Sequence, residues 1–587
     1  MEFEYGITDI KDSLKRCKRK GFGLATARFF LFLFMIASLI IGLSDKPVFI
    51  LAFLISSILF VYLIIQYNTN KDWIDFFSQL IEMEKEREKR KSRNLKDLDS
   101  GSEYIDKLHP YSNDLDLFGV HSLFQLINHT VSKSGKSLLA EWMKCNINPD
   151  KAKEKAEAIE ELRPNKSFLA SFEAHGRAFM KNEKPKTKFY AWLKQNEKWN
   201  AIYYLPLLIG PIGGILIIFA AVFELIAPAW VGAWIIAGLF FLSMIFHNLQ
   251  QASSIMPNQG DIKTFSKWAS QIAAMRFEGD YLNHLQKPFK NQDYDASAIL
   301  NSLEQKSFML QNRFNLMYLI FNMLFWIDFF LFWRTVKWKM RFAKHLAEWE
   351  GYFDVWQSLV SLAAFSNEEN LNCQVDWTSE KILETKNLVH PLLNPKDAVG
   401  NDFTLAEKTK IVLLTGSNMS GKTTFMRTVG INLVLANLGL CPFASAFRTG
   451  SFQLFTSMRN TDNLGESVSS FYAELARIKQ LLTMAENGEQ VLFLLDEILK
   501  GTNTVDRIMG SESLIRQLAN SNCKGIISTH DIELSQLENT LDYLENKSFH
   551  SEIADNEIHF DYKIKEGPCP SFNAHKLMEL MGIKFSE

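Results

Sequence analysis

Uncharged apolar runs occur along this chain in two close pairs. Phe29 to Leu43 contains only Ser38 as a polar residue, and after Ser44-Asp45-Lys46-Pro47 a second run extends from Val48 to Ile65. A third run, Tyr203 to Phe223, ends at Glu224, and a fourth covers Leu225 to Phe246. At about 1.5 Å per residue, the last three are long enough to cross a hydrocarbon core of about 30 Å. The first reaches that length if it extends back to Leu24 with Arg28 snorkelling to the interface. Paired runs of this kind do not suit the core of a soluble domain, and they predict two transmembrane helical hairpins.

A fifth apolar stretch, Leu316 to Trp333, contains Asn322 and Asp328. It lies between Arg313 and the basic run Arg334, Lys337, Lys339 and Arg341. A span there would carry the C-terminal region across the membrane against the charge rule below, so a long amphipathic helix of the soluble part is expected. Glu82 to Lys91 is a mixed-charge run expected to form a solvated helix. Helical periodicity marks Asp114 to Met143 and resumes from Ile262 through Phe365. After Asn387 the texture changes. Short β-like runs (Ile411 to Leu414, Val491 to Leu495, Gly525 to Ser528) alternate with helical stretches, which predicts a parallel α/β sheet.

Charge gives the hairpins an orientation. Lys15-Arg16-Cys17-Lys18-Arg19-Lys20 precedes the first, and Lys71, Lys85, Arg87, Lys89, Arg90 and Lys91 follow it. Lys184, Lys186, Lys188, Lys194 and Lys198 precede the second, while the turns within each hairpin are nearly devoid of positive charge. The positive-inside rule then puts both termini and every long segment in the cytoplasm. A multi-pass protein of a bacterial inner (plasma) membrane is expected. In composition, 47 Phe and 47% apolar residues fit such a chain and exclude a disordered one. The net charge of −2 and a pI near 6.7 exclude a generally basic nucleic-acid binder. Six dispersed cysteines, with no CxxC or Cys/His cluster, read as free thiols and imply no metal site of their own.

The chemistry is concentrated near the C-terminus. Ile411-Val412-Leu413-Leu414-Thr415 leads into Gly416-Ser417-Asn418-Met419-Ser420-Gly421-Lys422-Thr423-Thr424, a GxxxxGK[ST] phosphate-binding loop. The glycines let backbone N–H groups turn toward phosphates, and the N-terminus of the following helix adds positive potential. Lys422 is expected on the β/γ-phosphates of ATP and the Thr423 hydroxyl on Mg²⁺. About 70 residues on, the apolar run Val491 to Leu495 ends in Asp496-Glu497. Asp496 is expected in the Mg²⁺ shell, and Glu497 is expected to orient or deprotonate the attacking water. A third run, Gly525 to Ser528, ends in Thr529-His530, and His530 is expected to contact the γ-phosphate.

These residues resemble the MutS mismatch-repair ATPases of the ABC-type superfamily. The nucleotide loop is similar to that family's GPNMxGK[ST]T. Asp462 to Glu474 matches the spacing of its DDLxxxxSTFxxE stretch, and Asp496 to Arg507 matches DEIGRGTSTxDG. His390-Pro391 and Asn401-Asp402-Phe403 look like its HP and ND-x-F elements, so Phe403 is implied to stack on adenine. Ser122 to Thr130, Gly135 to Leu139 with Trp142, and Leu359 to Ala364 are similar to parts of its helical core. The resemblance implies a head-to-tail dimer through the ATPase domains, with each nucleotide between one subunit's loop and the other's Ser469-Ser470 segment. It also implies DNA as a ligand.

The departures are equally specific. Nothing before residue 110 resembles a mismatch-reading domain, and a hairpin interrupts the core. Ser417 and Ser420 replace Pro and Gly, and Leu499-Lys500 replace Gly-Arg. Residues 386–587 carry 19 Lys+Arg against 24 Asp+Glu, a net of −5, unfavourable for a DNA-contacting surface.

The expected organisation is a basic N-terminus (1–28), hairpin 1 (29–67), helical linker and first part of a MutS-like core (68–200), hairpin 2 (201–246), second part of the core (247–385) and an α/β P-loop ATPase domain (386–587). The expected function is a membrane-anchored, dimeric ATPase with family-implied DNA binding. The alternative is a membrane-coupled mechanical ATPase acting on a protein or lipid partner. A transporter fits less well, since the four spans contain no charged intramembrane site.

Overall fold

The computed structural model describes residues 7–44, 48–181, 183–184, 186–195, 199–223, 225–227, 229–291, 293–349, 351–459, 470–554 and 557–570. The chain forms two compact units. One comprises residues 1–84, 130–136 and 165–358, and the other comprises residues 85–129, 137–164 and 359–587.

The first unit is helical. Its N-terminal helices, Ile7–Ser44 and Val48–Lys91, contain two of four candidate membrane spans; Ala201–Ala221 and Ala229–Ile255 are the others. All four are long and apolar enough to cross a membrane. Exposed Phe, Ile and Leu side chains crowd these helices, among them Phe30, Ile58, Leu208 and Phe240, so their apolar surface is not used in packing within the chain. Below the apolar part of the first hairpin, Asn70 Nδ2 donates to the Cys17 carbonyl at 2.8 Å, and the Arg28 guanidinium stacks on Tyr67.

Leu316 to Trp333 is not one long amphipathic helix, contrary to the expectation. Helices Leu316–Phe325 and Ile327–Glu348 meet at Trp326, whose φ of 53° breaks the helix, and their axes differ by 92°. The bend is held from within: Asn322 Oδ1 accepts the Asp328 N–H at 2.9 Å, and Trp326 stacks on Trp234 with centroids 4.7 Å apart. Gly210 and Gly214 make room for this bend. A Cβ at Gly210 would lie 2.7 Å from Trp326 Cβ, and one at Gly214 would lie 2.3 Å from the Leu324 carbonyl oxygen.

The second unit holds two sheets. Four strands, β1 (Val375–Thr378), β2 (Leu383–Leu388), β3 (Asn401–Leu405) and β5 (Ala446–Gly450), are ordered β1-β5-β2-β3. The larger sheet contains β4 (Ile411–Gly416), β6 (Gln453–Ser457), β7 (Val491–Asp496), β8 (Lys524–Thr529), β9 (Leu544–Ala554) and β10 (Glu557–Glu566), in the order β10-β9-β4-β8-β7-β6. Five of its strands are parallel, and only the edge pair β9–β10 is antiparallel. The expected parallel sheet is therefore present with an antiparallel edge and a second, mixed sheet beside it. β4 and β7 carry continuous apolar runs, and with β8 they are buried on both faces. Ile411, Leu413, Phe493, Leu495 and Ile527 share one core cluster with Leu514, Ile515 and Leu518 of helix Thr504–Ala519.

The charge run Glu82–Lys91 is only partly solvated. Arg90 is buried, and its Nη2 donates to the Asn128 carbonyl at 3.0 Å. Two residues past that helix, Arg93 forms a bidentate pair with Glu369 at 2.7 and 2.9 Å and donates from Nε to the Pro391 carbonyl at 2.7 Å.

Candidate nucleotide-binding site

The strand register brings three distant motifs to one edge of the larger sheet. Thr415 on β4 pairs with Thr529 on β8, and Asp496 at the end of β7 pairs with Ser528. In a doubly wound sheet the carboxyl ends of the strands form the ligand crevice, and here they carry the phosphate-binding loop, the Asp496-Glu497 pair and His530.

The loop has the backbone its sequence requires. Gly416 and Gly421 have φ of 153° and 105°, and a Cβ at Gly416 would come within 2.7 Å of the Phe549 carbonyl. Helix Lys422–Asn437 starts directly after Gly421. Asn418, Met419, Ser420, Gly421, Lys422, Thr423 and Thr424 line a cavity of about 490 Å³ together with Glu497. The Lys422 ammonium donates to the Gly416 and Ser417 carbonyls at 2.8 and 3.0 Å. Burial pushes it below its ordinary pKa, against the opposing pull of Glu497 and Asp496. The buried Ser420 hydroxyl has no hydrogen-bond partner among the described residues.

Thr423 Oγ1 donates to Asp496 Oδ2 at 2.6 Å, and the Ser528 hydroxyl donates to the other carboxylate oxygen. An alcohol and a carboxylate, both hard oxygen donors, thus converge beside the loop. This set suits Mg²⁺, which takes one or two protein oxygens and completes its shell with phosphate and water. Three or more metal-ligating side chains do not cluster anywhere among the described residues.

Glu497 sits on a strained turn, with φ of 49° at Glu497 and 60° at Leu499. Its Oε1 is 2.9 Å from His530 Nε2, and its Oε2 pairs with the Lys500 ammonium. The bond from His530, with help from Lys500, holds the carboxyl down to about 2 against the effect of burial. A group so acidic is a poor proton acceptor, so in this arrangement its aptitude is to orient a water. Glu474 secures the turn by accepting the Leu499 N–H, and burial raises its pKa. Phe471 packs where a Cβ at Gly501 would stand, 2.6 Å from its own Cβ.

Two expected assignments differ in place. Phe403 is not on the cavity wall; it is 2% exposed and meets Phe425 edge-on at 5.3 Å, because alternation along β3 turns it inward. The aromatic side chain exposed at the cavity is Tyr562, 44% exposed, with φ of 51° beside Gly421. His530 meets Glu497, and it is not among the residues that line the cavity. Ser469 lies outside the described residues, and Ser470 opens helix Ser470–Glu486. His390 is on the wall as a neutral imidazole, pushed by burial to about 4, and its Nδ1 accepts the Leu392 N–H. Lys500 and Tyr562 were not anticipated. Lys500 had a signal, its place three residues after Glu497, whereas nothing in the sequence points to Tyr562.

Residues 412–583 match the family model for MutS domain V. The chain is 34% identical over 197 residues to the DNA mismatch repair protein MutS of Staphylococcus epidermidis, covering 32% of this chain and 22% of that protein. It is 29% identical over 247 residues to the protein of that name from Desulfovibrio desulfuricans, covering 41% and 26%. For the Bacillus cereus protein the identity is 34% over 239 residues, covering 40% and 26%. Over residues 412–583 the chain carries a MutS-family domain. It spans about a quarter of the length of these MutS relatives. What it shares with them is the ABC-type MutS ATPase domain, here following a largely helical N-terminal part.

Proposed function

We propose that this protein is a membrane-anchored MutS-like ATPase that binds and hydrolyses Mg·ATP as a homodimer. The observation that carries the reading is the convergence of Thr423, Asp496, Glu497 and His530 at the phosphate-binding loop.

In this reading Gly416, Ser417, Asn418, Met419, Ser420, Gly421 and Thr424 form the cradle for the phosphates, and Lys422 exchanges its two loop carbonyls for phosphate oxygens. Thr423 and Asp496 hold Mg²⁺, which neutralises charge on the β- and γ-phosphates when bound. Glu497 orients the attacking water, and His530 keeps that carboxylate anionic and aimed. Tyr562 takes the base-contacting role that resemblance assigned to Phe403. The partner subunit completes the site through Ser469 and Ser470, so that binding closes the dimer and hydrolysis releases it.

The four apolar helices anchor the protein in a bacterial inner membrane, in contact with its lipids. Both termini and the ATPase domain face the cytoplasm, in accord with the flanking charge. The ligand that turnover serves is DNA, on the names of the relatives. The second reading, a mechanical ATPase acting on a protein or lipid partner, is favoured by the acidic ATPase domain and the two hairpins. ATPase rate and DNA association of the solubilised full-length protein, measured at low and moderate salt with duplex, mismatched and branched DNA, separate the two. Stimulation or binding that weakens with salt supports the DNA reading. Absence of both at low salt, with turnover intact, sinks it.

A further inference from the structure

The bent helix pair at residues 316–347 has the dimensions and surroundings of a re-entrant element. Leu316–Phe325 is ten residues, about 15 Å, or half of a hydrocarbon core. It starts after Arg313, whose guanidinium lies over Phe246 near the end of the second hairpin's apolar stretch. It ends where Trp234 Nε1 donates to the Leu324 carbonyl at 2.9 Å and where Gly214 meets the same carbonyl. Gly214 is ten residues into helix Tyr204–Val222, so the tip of the half-helix reaches the middle of that span. Interrupted backbone at such depth is tolerated only when protein covers it, and this break is covered. Trp326 is buried, its N–H donates to the Asn322 carbonyl at 2.9 Å, and Gly210 and Gly238 make room for its ring. The charge pair within this element, Arg313 with Asp328, is buried and bidentate, and Asp328 also receives the Tyr318 hydroxyl at 2.8 Å.

After the 92° bend, the second helix returns at the level where the hairpin begins. Phe329 and Phe332 contact Tyr203, and Phe332 contacts Trp199. The second helix starts at the buried break, and by Phe332 it is level with the start of the hairpin, so the residues from Arg334 onward lie at or beyond the interface. Its pattern suits that position. Leu331, Phe332, Thr335, Val336, Trp338 and Leu346 are buried, while Arg334, Lys337, Arg341 and Lys344 are exposed at intervals of three, four and three residues. These four cations therefore form one stripe. Unlike Arg313, none of them forms an ion pair among the described residues. Three rest on aromatic faces instead: Arg334 on Phe330, Lys337 on Trp333 and Arg341 on Phe342. Cations over aromatic rings at a lipid boundary match the anionic phosphates of a leaflet.

We infer that residues 316–325 insert halfway through the bilayer, across the cytoplasmic leaflet, beside the second hairpin, and that Arg334, Lys337, Arg341 and Lys344 bind anionic phospholipid headgroups at the surface of that leaflet. The inference rests on the membrane-anchoring part of the reading above. Each cation near an anionic surface strengthens attachment about fivefold, so a stripe of four discriminates anionic from zwitterionic lipid.

Two measurements on the full-length protein test this. In the first, spin labels at Ile320, 45% exposed on the half-helix, and at Ile215, 62% exposed in the hairpin, report depth in phosphatidylcholine–phosphatidylglycerol vesicles by oxygen and nickel accessibility. Both are expected in the hydrocarbon region. A deep Ile215 with a water-exposed Ile320 overturns the inference alone, and a shallow Ile215 overturns the anchoring reading itself. In the second, the phosphatidylglycerol retained through purification is quantified. The wild type is expected to be enriched severalfold over the starting mixture, and Arg334→Gln/Lys337→Gln/Arg341→Gln/Lys344→Gln to fall close to it. Lys337→Arg/Lys344→Arg should retain the enrichment. Single Lys337→Gln and Lys344→Gln variants, at exposed positions, carry the same test with partial losses should the quadruple variant not fold. Equal enrichment in all variants overturns the assignment, as does a stripe that binds duplex DNA while showing no lipid preference.

Discussion

His530 Nε2 lies 2.9 Å from Glu497 Oε1, joining the residue just beyond β8 to the one just beyond β7. Lys500 holds the other oxygen, and together they lower the carboxyl from 4.5 to about 2. For a depressed carboxylate, the stabilisation is complete above the ordinary value and is lost as pH falls through the folded one, here between about 4.5 and 2. Wild-type turnover is therefore expected to show no acid limb from Glu497 in the accessible pH range. In His530→Ala/Lys500→Ala the carboxyl returns toward about 4–5, and an acid limb should enter the pH–rate profile there. A profile identical to wild type would contradict the assigned coupling.

Glu497→Gln keeps the size of the side chain and removes its charge. If this carboxylate orients the attacking water, turnover should fall by about 10²–10⁴-fold while ATP still binds, and the closed dimer should persist. Fluorescent-nucleotide titration and single-turnover hydrolysis read the two effects separately. Undiminished turnover would remove Glu497 from the mechanism.

Ser528 is not among the residues that line the cavity, yet its hydroxyl donates to Asp496 while Thr423 donates to the opposite oxygen. Ser528→Ala frees one face of that carboxylate. Outer partners of this kind are worth about 10–100-fold in metal affinity, so the Mg²⁺ concentration for half-maximal ATPase should rise by that order, with metal-free nucleotide affinity unchanged. An unchanged Mg²⁺ requirement would separate Asp496 from the metal.

The chemistry was more legible than the scaffold, for identifiable reasons. The loop from Gly416 to Thr424 and the pair Asp496-Glu497 are local patterns attached to apolar strands; β4 and β7 appear as hydrophobic runs, and β8 as the shorter Gly525-Ile526-Ile527, because both of their faces are buried. The sheet of β1, β5, β2 and β3 gave no such signal, since strands such as Leu383-Glu-Thr-Lys-Asn-Leu388 alternate and are largely polar. For Phe403 the motif gives spacing alone, and its burial depends on which side of β3 faces the core. The bend at Trp326 was hidden for a different reason. A Trp in the left-handed region has no local signature, and the glycines that accommodate it lie about 90 to 115 residues earlier.

Gly501 lies in the turn after Glu497, packed against Phe471 of the helix that follows the Ser469-Ser470 segment. An added Cβ would meet Phe471 Cβ at 2.6 Å, an atom too close to its backbone to swing aside. Gly501→Ala should therefore cost about 1–3 kcal/mol by overpacking and displace that helix. Thermal unfolding should shift downward while affinity for ATP stays unchanged, since Gly501 is not among the residues that line the cavity. Loss of ATP affinity with unchanged stability would mean that the glycine serves the nucleotide directly.

Arg93 is the least conspicuous of the residues that organise the second unit. It sits just past a mixed-charge run that reads as solvent-facing, yet it is buried, pairs bidentately with Glu369 and donates to the Pro391 carbonyl next to His390. Removing one member of a buried pair strands the other, at a typical cost of about 3–5 kcal/mol. Arg93→Ala is expected to destabilise by that amount in denaturant unfolding. Because the same guanidinium fixes the turn at Pro391, it should also loosen the His390 wall of the cavity and weaken nucleotide binding. Arg93→Lys restores the charge without the two-pronged fork, and should recover part of the stability but not the nucleotide affinity. Full recovery of both by lysine would show that charge alone, and not the geometry of the fork, holds this turn.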